Sequence, residues 1–306
     1  MSKLKTLKKL IKEDRRQIIT AVYNNFVHTG ITDILPDAAY LKLTYFVRFG
    51  KRLRLDKPET FNEKLQWLKL NDRDPRYTAM VDKVTAKNYA AKRLGKEYIV
   101  PTLGVYKSFD EIDFDSLPDR FVLKCNHDSG SVVICGVKDG FDREKARKTL
   151  TKGLKTDAFY WGREYPYRHV KRRILAEEYL EDGQQEIRDY KLMCFNGKVK
   201  CSFVCSDRFS AEGLCVTFYD RDWNVMPFER HYPRAKVPAE RPLNYDKMVE
   251  FAERLSKGIA FLRVDFYEVG GRLYFGEMTF YPGSGWEEFT PEKWDVILGS
   301  WLDIGK

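Results

Sequence analysis

The sequence predicts an α+β protein in which helices and antiparallel hairpins occupy separate stretches of the chain. Three observations carry that expectation. Up to about residue 95 the apolar residues recur at helical spacing, among abundant lysines and arginines. Hairpin signals follow at 121–135, 189–200 and 259–285, where glycine, serine or Asn-Gly turns separate apolar runs. A length of 306 residues with 43% hydrophobic and 14% aromatic content suffices for a full core and two or three subdomains.

Residues 1–30 read as a basic amphipathic helix, with Leu4, Leu7, Leu10, Ile11, Ile18, Ile19, Val22 and Phe26 as its apolar positions. Such a face suits either an anionic membrane or the body of the protein. A second basic and aromatic stretch, 39–55, has no nucleic-acid-binding motif beside it, so nucleic acid is not an expected partner. Thr60 and Glu63 form the capping box of a helix that breaks at Asp72-Arg73-Asp74-Pro75. One helix is expected over 77–94, ended by Gly95. The strand 120–125 carries Lys124 inside an apolar run, where a lysine needs an anion.

That strand enters the polar loop Asn126–Ser131 and leaves through 132–135. Strand, small-residue loop and strand make either a flap whose N–H groups wrap phosphates or a plain hairpin turn. A helix at 141–154 and an aromatic loop at 159–167 precede a strand at 173–180. The end of that strand leads into Glu181-Asp182-Gly183 and can offer backbone donors and acceptors to an adenine edge. The hairpin 189–200 turns on Asn196-Gly197 and puts Asp189 and Lys191 on one face. A helix at 247–257 leads into the last hairpin.

In that last hairpin the turn length decides which side chains share a face. A two-residue turn at Gly270-Gly271 would separate Asp265 from Glu277, whereas a three-residue loop, Gly270–Arg272, sets Asp265 opposite Glu277 and Arg263 opposite Thr279. The second register also gathers Leu262, Val264, Phe266, Tyr274, Met278 and Phe280 on one apolar face, and is the one expected. Paired carboxylates repel unless a cation lies between them. Oxygen donors without His or Cys suit Mg²⁺, with Arg263 free to hold a phosphate; a wet strand face salt-bridged to Arg263 and Arg272 is the alternative.

A net charge of +9 admits polyanionic partners: nucleotide phosphates, anionic membrane, acidic polysaccharide or nucleic acid. The six cysteines form no CxxC pair, which argues against zinc and fits buried thiols in a reducing cytoplasm. Neither a secretory signal nor a stretch of apolar residues long enough to span a membrane is evident.

The order of these features resembles the ATP-grasp superfamily: Lys83 on a helix, Lys124 before a small-residue loop, Glu177-Glu178-Tyr179-Leu180, Asp189-x-Lys191, Arg263-x-Asp265 and Glu277-x-Thr279. More narrowly, Lys57-Pro-Glu-Thr-Phe-Asn-Glu-Lys-Leu-Gln-Trp67, Phe121-Val-Leu-Lys-Cys-Asn-His127, Ala176-Glu-Glu-Tyr-Leu180 and Phe275-Gly-Glu-Met-Thr-Phe-Tyr-Pro-Gly-Ser-Gly285 are similar to the TupA-like ATP-grasp family, associated with teichuronopeptide and other cell-surface polysaccharide synthesis. The resemblance, over roughly 40–300, implies two α+β lobes holding ATP between them. A helical basic region would occupy 1–75, the first lobe with its phosphate flap 76–180, and the second lobe with its metal hairpin 181–306.

It implies Lys83 and Lys124 on the ATP phosphates, Ser129, Gly130 and Ser131 in the flap, and Glu177, Glu178, Tyr179 and Leu180 at adenine. Asp189 would sit at the ribose, and Lys191 on phosphate or substrate. Asp265 and Glu277 would hold Mg²⁺, with Thr279 where the superfamily usually has an asparagine ligand. The implied reaction is an ATP-dependent carboxylate–amine ligation through an acyl phosphate, with Arg263 and Lys191 as the catalytic residues. A uronic-acid-containing polysaccharide and an amino acid would be the partners. A sugar kinase using His127 or Asp128 as base, a metal-dependent glycosyltransferase and a membrane-associated binding protein are the alternatives. Expected localisation is cytoplasmic, with peripheral contact to anionic membrane through residues 1–55.

Overall fold

A computed structural model describes residues 15–181, 187–206 and 213–305. The basic helix is seen as α1 (Arg15–His28); the earlier part of it, residues 1–14, and Asp182-Gly183 lie outside the described residues. α2 (Asp37–Phe49) packs beside it, and α3 (Phe61–Asn71) begins at the expected capping box. Thr60 Oγ accepts from Glu63 N at 3.2 Å, and the Glu63 carboxylate accepts from Thr60 N at 3.1 Å.

The single helix expected over 77–94 is two, α4 (Arg76–Val81) and α5 (Lys83–Leu94). Asp82 between them is extended (φ −68°, ψ 109°). Its carboxylate caps α5 through Val84 N at 2.9 Å and also accepts from Asn126 Nδ2 at 2.7 Å and Arg173 Nη2 at 2.8 Å. Tertiary partners break this helix, and helical periodicity does not report them.

β1 (Thr102–Tyr106), β2 (Phe121–Cys125), β3 (Val132–Cys135) and β4 (Ile174–Glu178) form an antiparallel sheet in the order β1-β4-β2-β3. α6 (Arg143–Lys155) covers it, with Ala146 and Leu150 packed against Phe121, Leu123 and Ile174. The short α7 (Ala158–Gly162) stands in the expected aromatic loop. Next come β5 (Asp189–Phe195), β6 (Lys198–Ser206), β7 (Cys215–Asp220), β8 (Glu229–Arg230), α8 (Tyr245–Ser256), β9 (Phe261–Val269), β10 (Arg272–Thr279), β11 (Phe289–Thr290) and α9 (Lys293–Trp301).

The second sheet runs β10-β9-β5-β6-β7, and β8 pairs with β11 apart from it. The largest core covers both faces of this sheet: Leu192, Val264 and Phe266 belong to one, in a cluster with Met80 of α4, Ala90 of α5 and Phe251 of α8, and Phe195 and Phe261 belong to the other, where the Phe61 ring of α3 packs on them. Residues 76–94, grouped by sequence with the first lobe, therefore pack against the second sheet. Five of the six cysteines are buried, as their apolar surroundings suggest.

The last hairpin corrects the expected turn while keeping its consequence. Val269 pairs with Arg272 across a two-residue turn whose glycines take φ 55° and 75°. Further along, Met278 pairs with Val264 and Thr279 with Arg263, because a β-bulge at Gly276-Glu277 absorbs one residue. The expected pairing of Arg263 with Thr279 thus arises from a bulge in the strand rather than from a longer loop. Tyr274, expected on the apolar core face, pairs with Tyr267 and packs with Val100 and Val269, while Phe275 takes the core position opposite Phe266.

Candidate active site

Cross-strand partners share a face, so register lays the site out in rows. Lys191 pairs with Asp265 on one side and Phe203 on the other, and Phe203 with Phe218. One row therefore runs carboxylate, ammonium, aromatic, aromatic across four strands. Arg263, two residues before Asp265, folds back onto it in a fork: Nε to Oδ1 at 2.7 Å and Nη2 to Oδ2 at 2.7 Å. Lys191 Nζ bonds both Asp265 and Asp189. Arg263 Nη2 reaches Glu277 Oε1 at 2.8 Å, and Lys83 Nζ lies 3.9 Å from the other oxygen of Glu277.

Burial alone would raise the Glu277 carboxyl, but Lys83 and Arg263 outweigh it and hold it at about 2. Asp265 is only 1% exposed, and burial pushes its carboxyl up to about 6 against Arg263 and Lys191.

The first sheet supplies the opposite wall. Lys124 of β2 pairs with Glu177 of β4, and Lys87 of α5 reaches the same carboxylate while donating to Thr102 Oγ at 2.9 Å. Burial would raise the Glu177 carboxyl; the two lysines outweigh it and hold it below the usual range. The flap is fixed at its base and open at its tip. Asn126 is fully buried and bonds Asp82, Lys171 O and Arg173 N, whereas Ser129 and Gly130 (φ 116°) are exposed. Lys83 Nζ donates to Asp128 O at 2.6 Å, tying the start of α5 to the flap.

A cleft of about 570 Å³ opens between the walls. Of the predicted site residues, Lys83, Lys124, Ser129, Gly130, Glu177, Glu178, Tyr179, Leu180, Asp189, Lys191, Arg263 and Glu277 line it. Asp265 sits beneath Arg263 and Lys191. Ser131, whose hydroxyl donates to the Asp128 carboxylate, and Thr279 face a second chamber of about 740 Å³ with His127, Lys152 and Glu164. The sequence reading missed Lys87, Arg230 and Glu287. A signal existed for Lys87: it lies one helical turn after Lys83, a like-charge spacing that is unfavourable unless an acid lies between or beside the pair.

Among the described residues no group of three or more His, Cys, Asp or Glu side chains is placed to hold a metal. Both oxygens of Asp265 are engaged by side-chain cations. Asp189, however, has a buried oxygen, Oδ1, without a hydrogen-bond partner. Carboxylates on neighbouring strands with one unused buried oxygen fit a hard, oxygen-seeking cation in their chemistry.

Two facing antiparallel sheets with a lysine-lined cleft and a small-residue flap between them define an ATP-grasp protein. The TupA-like ATP-grasp family model matches residues 63–303, and the chain belongs to that family. No curated protein sequence matches it. Among solved structures it is similar to D-alanine–D-alanine ligase from Bacillus anthracis complexed with ATP, at 13% identity and a TM-score of 0.39, over 66% of this chain and 54% of that one. It is also similar to an ADP complex of N5-carboxyaminoimidazole ribonucleotide synthetase, at 14% identity and 0.40, over 71% and 50%. A third is the ATP-grasp ligase PsnB with a phosphomimetic variant of its minimal precursor, Mg and ADP, at 11% and 0.41, over 79% and 62%. The matches thus span about half to three fifths of those chains.

Proposed function

We propose that this protein is an ATP-dependent ligase joining a carboxylate to an amine. The observation that carries this reading is the convergence of Lys83, Lys124, Lys191 and Arg263 on one cleft beneath a loop with exposed backbone. Such a set offsets the negative charge that keeps a nucleophile from the γ-phosphate. Adenine would lie against Glu178, Tyr179 and Leu180, ribose at Asp189, and the phosphates under Ser129 and Gly130. The Glu177 side chain would position Lys124 and Lys87 rather than touch the base.

Asp265 and Glu277 would hold Mg²⁺, which supplies charge neutralisation at the phosphates when bound. Thr279 Oγ lies 3.5 Å from Glu277 Oε1 and would orient that carboxylate in place of a third ligand.

In the reaction a substrate carboxylate oxygen attacks the γ-phosphorus and ADP leaves, giving an acyl phosphate. An amine nitrogen then attacks the carbonyl carbon, inorganic phosphate departs, and the surplus proton passes to solvent. Arg263 would hold the anionic oxygens of the acyl phosphate, with Lys191 steadying Asp265 and the phosphate. The strongly basic chain suits an acidic substrate such as a uronic-acid polysaccharide, with an amino acid as the amine. Work at the inner face of the membrane is part of this reading, through α1 and its neighbours.

ADP release measured with panels of uronic and amino acids tests it. Release that requires both a carboxylate and an amine supports the ligase; release with a hydroxyl acceptor alone sinks it. One observation favours a kinase as second reading. His127 Nε2 is held by Thr156 O at 3.1 Å, and its buried Nδ1 has no partner beside the second chamber. A His127→Gln variant that abolishes phosphate transfer to a sugar would select it.

A further inference from the structure

Arg230 and Glu287 line the same cleft and belong to no part of the phosphate machinery described above. Pairing of β8 with β11 sets Phe289 opposite Arg230 and brings the two side chains together. Arg230 is 6% exposed, and its Nε lies 2.8 Å from Glu287 Oε2. The contact is close but poorly aligned. Arg230 Nε and Nη1 and Glu287 Oε2 are all buried and make no hydrogen bond of good geometry.

A buried ion pair whose facing atoms make no aligned hydrogen bond leaves those donors and that acceptor for a better-placed ligand. The guanidinium also rests on an aromatic floor, 4.9 Å from the Phe203 ring centre and 5.2 Å from that of Phe218. Arg263 lies over the same Phe203 ring at 5.9 Å. The two arginines therefore share one ring, and two nitrogens of Arg230 make no hydrogen bond.

We infer that Arg230 and Glu287 form the subsite for an α-amino acid that serves as the amine. Its α-carboxylate is taken by the Arg230 donors and its ammonium by the Glu287 carboxylate, so that both charges of one zwitterion replace the misaligned contact between the side chains; the nitrogen gives one proton to Glu287, which passes it to solvent, before it attacks. The subsite rests on the ligase reading, because it supplies the nucleophile of that reaction. Phe203 sets the spacing between this amino acid and the acyl group held by Arg263.

The test measures binding by calorimetry to the full chain loaded with Mg²⁺ and a non-hydrolysable ATP analogue. The probes are the common L-amino acids, D-alanine and their α-carboxamides. At least one amino acid is expected to bind, with its carboxamide weaker by 10-fold or more. Arg230→Lys should weaken the amino acid by 10-fold or more and narrow that ratio, and Glu287→Gln should weaken it while leaving the ratio in place. Equal binding of acid and amide, or analogue binding without any amino acid binding, overturns the subsite and leaves the ligase reading standing. Failure of the wild-type chain to bind the analogue counts against the ligase reading itself. The wild-type acid-to-amide comparison decides the matter even if the Arg230 variant does not fold.

Discussion

Glu177 joins two elements through one side chain. Its side chain is 8% exposed and holds two lysines from different elements. Glu177→Gln leaves both ammonium groups in a mostly buried setting with a neutral partner, and we expect a loss of about 3 kcal/mol in urea unfolding. The same carboxylate fixes a pH dependence. Its folded pKa lies below the unfolded value of 4.5, so its stabilisation is fully present above about pH 4.5 and is lost as pH falls below it. Glu277, held at about 2, acts with the same sign. Asp265, pushed up to about 6, acts with the opposite sign as pH falls from about 6 to 4, so the informative quantity is the difference in melting temperature between the wild type and Glu177→Gln, which should hold steady from pH 7 to about 5 and shrink below that.

At the scale of elements, the bulge in β10 decides whether Glu277 shares a face with Arg263. A Cβ at Gly276 would come 3.0 Å from Asp265 O and 3.2 Å from a Tyr267 ring carbon, so Gly276→Ala must shift the strand pair. Overpacking of this kind costs about 1–3 kcal/mol. We expect a lower melting temperature together with weaker binding of an ATP analogue, while an alanine at Gly271, where nothing lies within 4 Å, spares nucleotide binding.

This hairpin also marks how far sequence could be read. The Asn196-Gly197 turn, the Thr60 capping box and the apolar periods of most helices were legible because each is written in a few adjacent residues. The turn at Gly270-Gly271 was misread because the face pattern beyond it demands an extra residue, and sequence does not say where along the strand that residue is taken up. The break at Asp82 and the Arg230–Glu287 contact were hidden for a related reason. Their partners lie 44 to 91 residues away in the first case and on a separate two-stranded ladder in the second.

At the scale of the whole molecule, the helices that pack against the second sheet reach across to the first through Lys83 and Lys87. Outside that frame α1 turns Tyr23 inward, where its hydroxyl meets Thr44 Oγ at 2.7 Å, and leaves Ile19, Val22 and Phe26 between 49% and 56% exposed. Among the described residues no helix is long and apolar enough to cross a membrane. If this face meets lipid, the full chain should sediment with phosphatidylserine vesicles and much less with neutral ones. Replacing Ile19, Val22 and Phe26 with serine should abolish sedimentation; retention would assign the face to another partner.

The engagement of Asp265 by Arg263 and Lys191 has a consequence for the order in which ligands assemble. If Asp265 ligates Mg²⁺ as proposed, an ion offered alone must displace two resident cations, whereas one delivered on a nucleotide brings phosphates to which those cations can turn. Metal and nucleotide should therefore bind with positive linkage, each tightening the other by the same factor. Titrating Mg²⁺ with and without an ATP analogue would measure that factor directly.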